Sequence, residues 1–290
     1  MSRFEYHEPV SVAEAVALGA RFGADARFLA GGTDLIVQIQ RGRLHPRHVV
    51  SLHRLPDLAG LAVNGEIRLG ARVTHRAIEG TAAFGGSLRA LIEGAEVIGG
   101  HQVRNVATVG GNLINASPAA DLVPVLLALD GVAHLVGPGG ERAVPLDRFL
   151  TGPGRTAREP EELLTAVTMP PLPPRSATAF LKAGRRKAME ISIVCVAARL
   201  TLDPRRERCL DARIVLGAVA PTTVRARAAE RALAGQPPVA AAFRRAAELA
   251  LQDCDPISDV RASARFRRHL VVTLVARALE CCAARAEAQV

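Results

Sequence analysis

Arg104-Asn105-Val106-Ala107-Thr108-Val109-Gly110-Gly111-Asn112-Leu113-Ile114-Asn115-Ala116-Ser117-Pro118-Ala119-Ala120-Asp121-Leu122 alternates small and hydrogen-bonding residues with a few apolar ones, and an apolar helix from Leu122 to Leu129 follows. A paired glycine lets main chain approach a ligand with no Cβ in the way. Thr108, Asn112, Asn115, Ser117 and Asp121 offer hydroxyl, amide and carboxylate groups to a polyol or diphosphate chain. The same residues also suit a buried turn whose side chains satisfy one another.

A second paired glycine lies upstream in Leu29-Ala30-Gly31-Gly32-Thr33-Asp34-Leu35-Ile36. The strand Arg27–Ala30 runs into the two glycines, and helical spacing resumes from Asp34 to Arg41. A helix start after such a turn favours an anion; the alternative is a tight turn with Thr33 or Asp34 as N-cap. The run is neither a Walker loop nor GxGxxG. Two separate Gly-Gly loops in one neutral region favour one long, phosphate-bearing ligand.

Around these loops the chain reads as alternating short elements. Ser11 caps a helix with Glu14 in its first turn, and 49–52 is a strand. Strands 61–63 and 66–69 flank the hairpin turn Asn64-Gly65. Thr74 and Ser87 each open a helix. Strands 132–136 and 142–145 form a hairpin, and strand 163–169 ends at Pro170-Pro171-Leu172-Pro173-Pro174, a stiff run unable to join a sheet ladder. Beyond it come three strands, 179–183, 192–202 and 211–218, then helices 225–234, 239–252 and 263–288. This gives three parts, 1–55, 56–174 and 175–290.

Composition changes at the same proline run. Residues 1–174 hold 16 Lys+Arg against 17 Asp+Glu and 22 of the 25 glycines, whereas residues 175–290 hold 21 Lys+Arg against 11 Asp+Glu. Nucleic-acid binding is a poor match to that basic third, because one Tyr and no Trp leave little for base stacking. No apolar run reaches the ~18 residues of a membrane span, and no secretory leader is apparent; a cytoplasmic protein is expected. The five cysteines, Cys195, Cys209, Cys254, Cys281 and Cys282, form no CxxC pair, so no metal cluster is expected in this chain. His45 and His48 are read as surface histidines.

The sequence resembles the FAD-binding medium subunit of the molybdenum hydroxylases, the carbon monoxide dehydrogenase and xanthine dehydrogenase family. The resemblance rests on Ala30-Gly31-Gly32-Thr33-Asp34-Leu35, Ala107-Thr108-Val109-Gly110-Gly111-Asn112-Leu113, Ala116-Ser117-Pro118-Ala119-Ala120-Asp121-Leu122 and Phe180-Leu181-Lys182-Ala183-Gly184-Arg185-Arg186, in the family's order. It implies an α+β chain: a two-subdomain FAD-binding domain of the vanillyl-alcohol-oxidase (PCMH-like) type, then a C-terminal three-stranded antiparallel sheet with helices. It implies that FAD is bound by Leu29, Ala30, Gly31, Gly32, Thr33, Asp34, Leu35 and Ile36, by Thr108, Gly110, Gly111, Asn112, Ser117 and Asp121, and by Ile98, Leu164 and Lys182. A cation such as Lys182 near the ring would stabilise the anion that a reduced flavin forms when it loses its N1 proton.

By the same resemblance the molybdenum cofactor sits on a large molybdopterin-binding subunit and the 2Fe-2S clusters on a small subunit, in a dimer of heterotrimers. This chain then needs no catalytic acid or base and no metal of its own. It takes electrons from the clusters and passes them to an acceptor such as NAD or a quinone. The alternative is a stand-alone flavin oxidoreductase of the same fold, which the short C-terminal part disfavours. The run Arg185-Arg186-Lys187 suits either a solvated loop or a guide for an anionic acceptor or partner subunit. Met189-Glu190-Ile191 departs from the acidic-aliphatic pair of many relatives.

Overall fold

The computed structural model describes residues 3–186 and 188–288, so Lys187 of the basic run lies outside the described residues. Three sheets follow one another along the chain. The first is small and wholly parallel: β1 (Glu5–His7), β2 (Ala26–Leu29) and β3 (His48–Ser51) in the order β1-β3-β2. Its connections carry the helices Val12–Phe22 and Leu35–Gln40. Ser11 caps the first, its hydroxyl accepting from Glu14 N at 3.1 Å. Strand β1 is an addition to the sequence reading, since three mostly exposed residues leave no alternation to detect.

The second sheet takes β4 (Leu61–Asn64), β5 (Glu66–Gly70), β6 (Val132–Gly137) and β7 (Gly140–Pro145). After a short ribbon of β8 (Leu150–Gly152) and β9 (Arg155–Thr156) it adds β10 (Leu163–Met169) at its centre, in the antiparallel order β4-β5-β10-β6-β7. Its residues Ile67, Leu69, Leu135 and Val167 are buried in one core with residues of the helices Arg89–Glu96 and Leu122–Ala128. Ser87 does not open the first of these. It lies in a 3₁₀ turn, Gly86–Leu88, and its carbonyl accepts from Thr178 Oγ1 at 2.7 Å.

The third sheet has four strands, not three: β11 (Ser176–Ala183), β12 (Val194–Leu202), β13 (Cys209–Gly217) and β14 (Val224–Arg225), antiparallel in that order. The fourth is two residues long and carries no period that a sequence could display. The long helix Ala264–Glu287 lies on the sheet and buries Val271, Val275, Leu279 and Cys282, so the architecture is a mixed α/β fold. Cys281 is partly exposed and the other four thiols are buried. Among the described residues no helix is long and apolar enough to cross a membrane.

Glu93 ties the second part to the third. Its Oε1 accepts from Arg285 at 2.5 Å, and its Oε2 accepts from Phe180 N at 2.9 Å. Truncation would orphan a buried strand N–H and unpair a guanidinium. Glu93→Ala is expected to lower stability by about 1–3 kcal/mol in urea unfolding, with Glu93→Gln between the two. A loss under about 0.5 kcal/mol would show that this tie carries little.

Candidate active site: a cleft between the first two sheets

Strand β2 ends at Leu29, and the chain turns through Gly31 and Gly32 into Leu35–Gln40. Gly32 has φ +74°, a left-handed conformation suited to glycine. Gly31 is glycine for a different reason: a Cβ there would lie 1.9 Å from the carbonyl oxygen of Val106. That contact sets the first turn against the second. Asp34 occupies the N-cap position, yet its side chain makes no capping bond, and partial burial holds its carboxyl above the ordinary carboxylate range.

The second turn is fastened to the second part by its own backbone. His75 N donates to Ala107 O at 3.1 Å, Val109 N to Val73 O at 2.9 Å, and Gly110 N to Ala71 O at 2.9 Å. A Cβ on Gly110 would sit 2.7 Å from Ala71 O. Thr108 caps a short helix, Val109–Ile114, its Oγ1 accepting from Gly111 N at 3.1 Å. The sequence reading offers a ligand-binding loop or a buried turn here, and no helix. Two glycines conceal its helical character, and the Thr108 cap is the signal that discloses it.

The two turns together line a cleft of about 750 Å³, within the usual range for a small-molecule site. Of the residues singled out from sequence, Ala30, Gly31, Gly32, Thr33, Asp34, Leu35, Ile98, Thr108, Gly110, Gly111, Asn112 and Leu164 line it, as does Asn115. Leu29, Ile36, Ser117, Asp121 and Lys182 do not. Leu29 and Ile36 approach Gly32 from within the turn. The Ser117 hydroxyl accepts from Ala119 N at 3.3 Å.

Asp121 is taken up by Lys182, Nζ to Oδ2 2.7 Å, and accepts from the Ser192 hydroxyl. Burial raises its carboxyl above the ordinary range, against the opposing pull of Lys182 and Ser192. Lys182 also donates to Val97 O at 3.3 Å and Glu190 O at 2.9 Å. Val97 is the residue before Ile98, which is part of the lining.

The structure adds Arg27, His75, Arg155 and Arg158 to the lining. Arg158 donates to the carbonyls of Glu159, Pro160 and Glu162, bracing the loop before β10. Three guanidiniums at one cleft suit a diphosphate. None could be placed from sequence, because Arg27 reaches the cleft from β2 and Arg155 and Arg158 from the segment around β9, far apart along the chain. His75 is 1% exposed, and burial, then the nearby Arg104 guanidinium, lower its pKa from 6.5 to about 4. It is neutral at physiological pH. Its Nδ1 and the Asn112 Oδ1 are buried without a hydrogen-bond partner. Orphaned polar atoms on residues that line a cleft of this size are what a dinucleotide such as FAD would complete.

Two outcomes are expected. Gly31→Ala should abolish flavin retention, read as the ratio of flavin to protein absorbance, since the Val106 carbonyl must move for the Cβ to fit. Retention at wild-type level would show that the turns need not touch. The second outcome concerns His75. Below pH 6.5 the unfolded chain binds a proton that the folded chain refuses until about pH 4, so stability contributed by neutral His75 is complete above 6.5 and lost as pH falls through that window. Melting midpoints of His75→Asn should therefore fall less steeply than wild type between these pH values; parallel curves would remove His75 from the account.

Comparison with known proteins agrees with this architecture. The family model for the FAD binding domain in molybdopterin dehydrogenase matches residues 2–172, and that for the CO dehydrogenase flavoprotein C-terminal domain matches residues 179–282. The chain is 36% identical over 277 residues to the putative xanthine dehydrogenase FAD-binding subunit XdhB of Escherichia coli (strain K12), covering 94% of each. It is 34% identical to the carbon monoxide dehydrogenase medium chain of Afipia carboxidovorans, covering 98% of each. Among solved structures, a carbon monoxide dehydrogenase from Hydrogenophaga pseudoflava superposes with a TM-score of 0.93 at 32% identity, over 98% of both chains. With both parts matched and nearly the whole length aligned, the chain belongs to the FAD-binding medium subunits of the carbon monoxide dehydrogenase and xanthine dehydrogenase family of molybdenum hydroxylases.

Proposed function

We propose that this chain is the electron-transfer subunit of a heterotrimeric molybdenum hydroxylase. In this reading a large subunit holds the molybdenum cofactor and oxidises the substrate, and a small subunit holds the 2Fe-2S clusters. The bound FAD supplies the step between one-electron donors and an external acceptor such as NAD or a quinone. The observation that carries the proposal is the cleft itself, lined by both glycine turns and by His75 and Asn112, whose Nδ1 and Oδ1 are unpartnered.

The residues divide the work of binding. The turns at Gly31-Gly32 and Gly110-Gly111 take the diphosphate by close main-chain approach, with Arg27, Arg155 and Arg158 providing positive charge. Ile98 and Leu164 give apolar contact. Leu29, Ile36, Ser117 and Asp121 act from behind the lining by fixing its shape. Lys182, held on Asp121 and Val97 O, brings one positive charge up to the Ile98 wall. The Asp121 carboxylate 2.7 Å away offsets much of that charge, so its pull on the reduced, anionic state of a flavin there is that of an ion pair and not of a free cation.

The division of the chain into 1–55, 56–174 and 175–290 belongs to the same proposal, with the first two parts forming a PCMH-like FAD domain and the third facing partner subunits. So do the cytoplasmic location and the dimer of heterotrimers.

The purified chain should be yellow, with bands near about 370 and 450 nm and FAD close to one per chain after acid release. Mixing with pre-reduced 2Fe-2S subunit should bleach the longer-wavelength band. A colourless chain that takes up no added FAD refutes the cofactor assignment; a yellow chain that the reduced partner leaves unbleached refutes the electron-transfer role.

A further inference from the structure

The only group of three or more His, Cys, Asp and Glu side chains arranged to hold a metal ion, among the described residues, is Glu5, His7 and His48. It lies on the first sheet, at the end of the strands away from the Gly31-Gly32 turn, because His48 is opposite both Glu5 and Ala26 while Ser51 is opposite Leu29. Glu5 and His7 are two apart on β1 and so share a face. The parallel register then brings His48 up to both. We propose that these three residues bind one divalent cation of the zinc class, separately from the cofactor cleft.

The distances suit such an ion. His7 Nε2 and His48 Nδ1 are 3.1 Å apart, His48 Nδ1 and a Glu5 oxygen 3.4 Å, and His7 Nε2 and that oxygen 3.9 Å. Ligand atoms around a tetrahedral zinc, at bonds of about 2.0–2.1 Å, are separated by roughly 3.3 Å. The three observed atoms lie on a circle of radius about 2.0 Å, so an ion near its centre meets all three at bonding distance. Two imidazoles and one carboxylate select borderline ions such as Zn²⁺ over Mg²⁺ or Ca²⁺, which want oxygen ligands. The carboxylate is largely exposed, leaving the fourth position to water.

The rings are held in place before any ion arrives. Phe22, the last residue of the helix Val12–Phe22, stacks on His48 with centroids 3.7 Å apart and planes 11° apart, and lies 5.0 Å from His7. The two side chains are only 16% and 22% exposed, in contrast to the surface position expected for His48 beside His45. Their mutual hydrogen bond uses the two nitrogens that would bind the ion. The ring that donates it transfers that proton to its other nitrogen when the metal enters. The ion would then pin β1, which pairs with β3 over only three residues, to the rest of the sheet.

The test uses tag-free, chelator-washed, FAD-containing chain titrated with Zn²⁺ by calorimetry, with Co²⁺ as the spectroscopic probe. One ion per chain is expected, with a Co²⁺ spectrum lacking thiolate charge-transfer bands. Glu5→Gln and His7→Gln should each weaken binding at least about tenfold, whereas Cys281→Ser, which removes the partly exposed thiol, should leave it unchanged. FAD content reports that each variant is folded. Absence of saturable binding by the wild-type chain, undiminished affinity in His7→Gln, or loss of binding in Cys281→Ser would each overturn the proposal.

Discussion

The meeting of Gly31 with the carbonyl of Val106 is the constraint on which the site rests. With a Cβ at 1.9 Å excluded, the turn after β2 can lie directly on the chain that precedes Thr108. That chain is itself fixed, since residues 107, 109 and 110 are bonded to residues 75, 73 and 71. One turn is therefore seated on another that cannot yield, and the cleft takes its width from two rigid main-chain segments. Side chains of any size would hold these segments apart. The glycines act less by flexibility than by absence of volume, and φ is the deciding matter only at Gly32.

This explains which parts could be read from sequence. Gly-Gly pairs, the Ser11 and Thr74 caps, the Asn64-Gly65 hairpin and the proline run at 170–174 are local signals, and local signals survive in one dimension. Strand β10 was legible because seven almost continuously buried residues announce a central strand. Contacts set by long separations were not legible. Arg27, His75 and Arg158 reach one cleft from three elements, and nothing near any of them in sequence points to the others. The pairing of Asp121 with Lys182 and with Ser192 spans the proline run. Family resemblance named Lys182 and Asp121 separately, but not that they hold each other.

The histidines give the same lesson in reverse. Sequence proximity pairs His48 with His45 and finds no acid nearby. A parallel strand of three residues, too short to show a period, instead brings His7 and Glu5 to His48 from the other end of the first sheet's connectivity. Parallel pairing regularly joins residues far apart in sequence, because its crossover must traverse the sheet. The site thus becomes visible only when β1 does.

Charge distribution ties these observations together. The C-terminal third carries most of the excess arginine, yet several of those arginines face inward. Arg267 is 3% exposed and donates to the carbonyls of Ile193 and Ala218 and to Asp259, and Arg285 binds Glu93. Asp259, accepting from Arg261, Arg267 and backbone N–H groups, is held far below the usual carboxylate range. Such buried pairs contribute little net stability over an apolar packing but penalise any arrangement that separates them. Here they join β12, β13 and the long helix in one arrangement, and through Glu93 they fix that unit against the helix Arg89–Glu96. Val97 and Ile98 follow that helix directly, and Val97 O receives Lys182. The basic composition is therefore in part a means of positioning: it sets the third sheet so that a lysine from β11 reaches the wall of a cleft built by the other two.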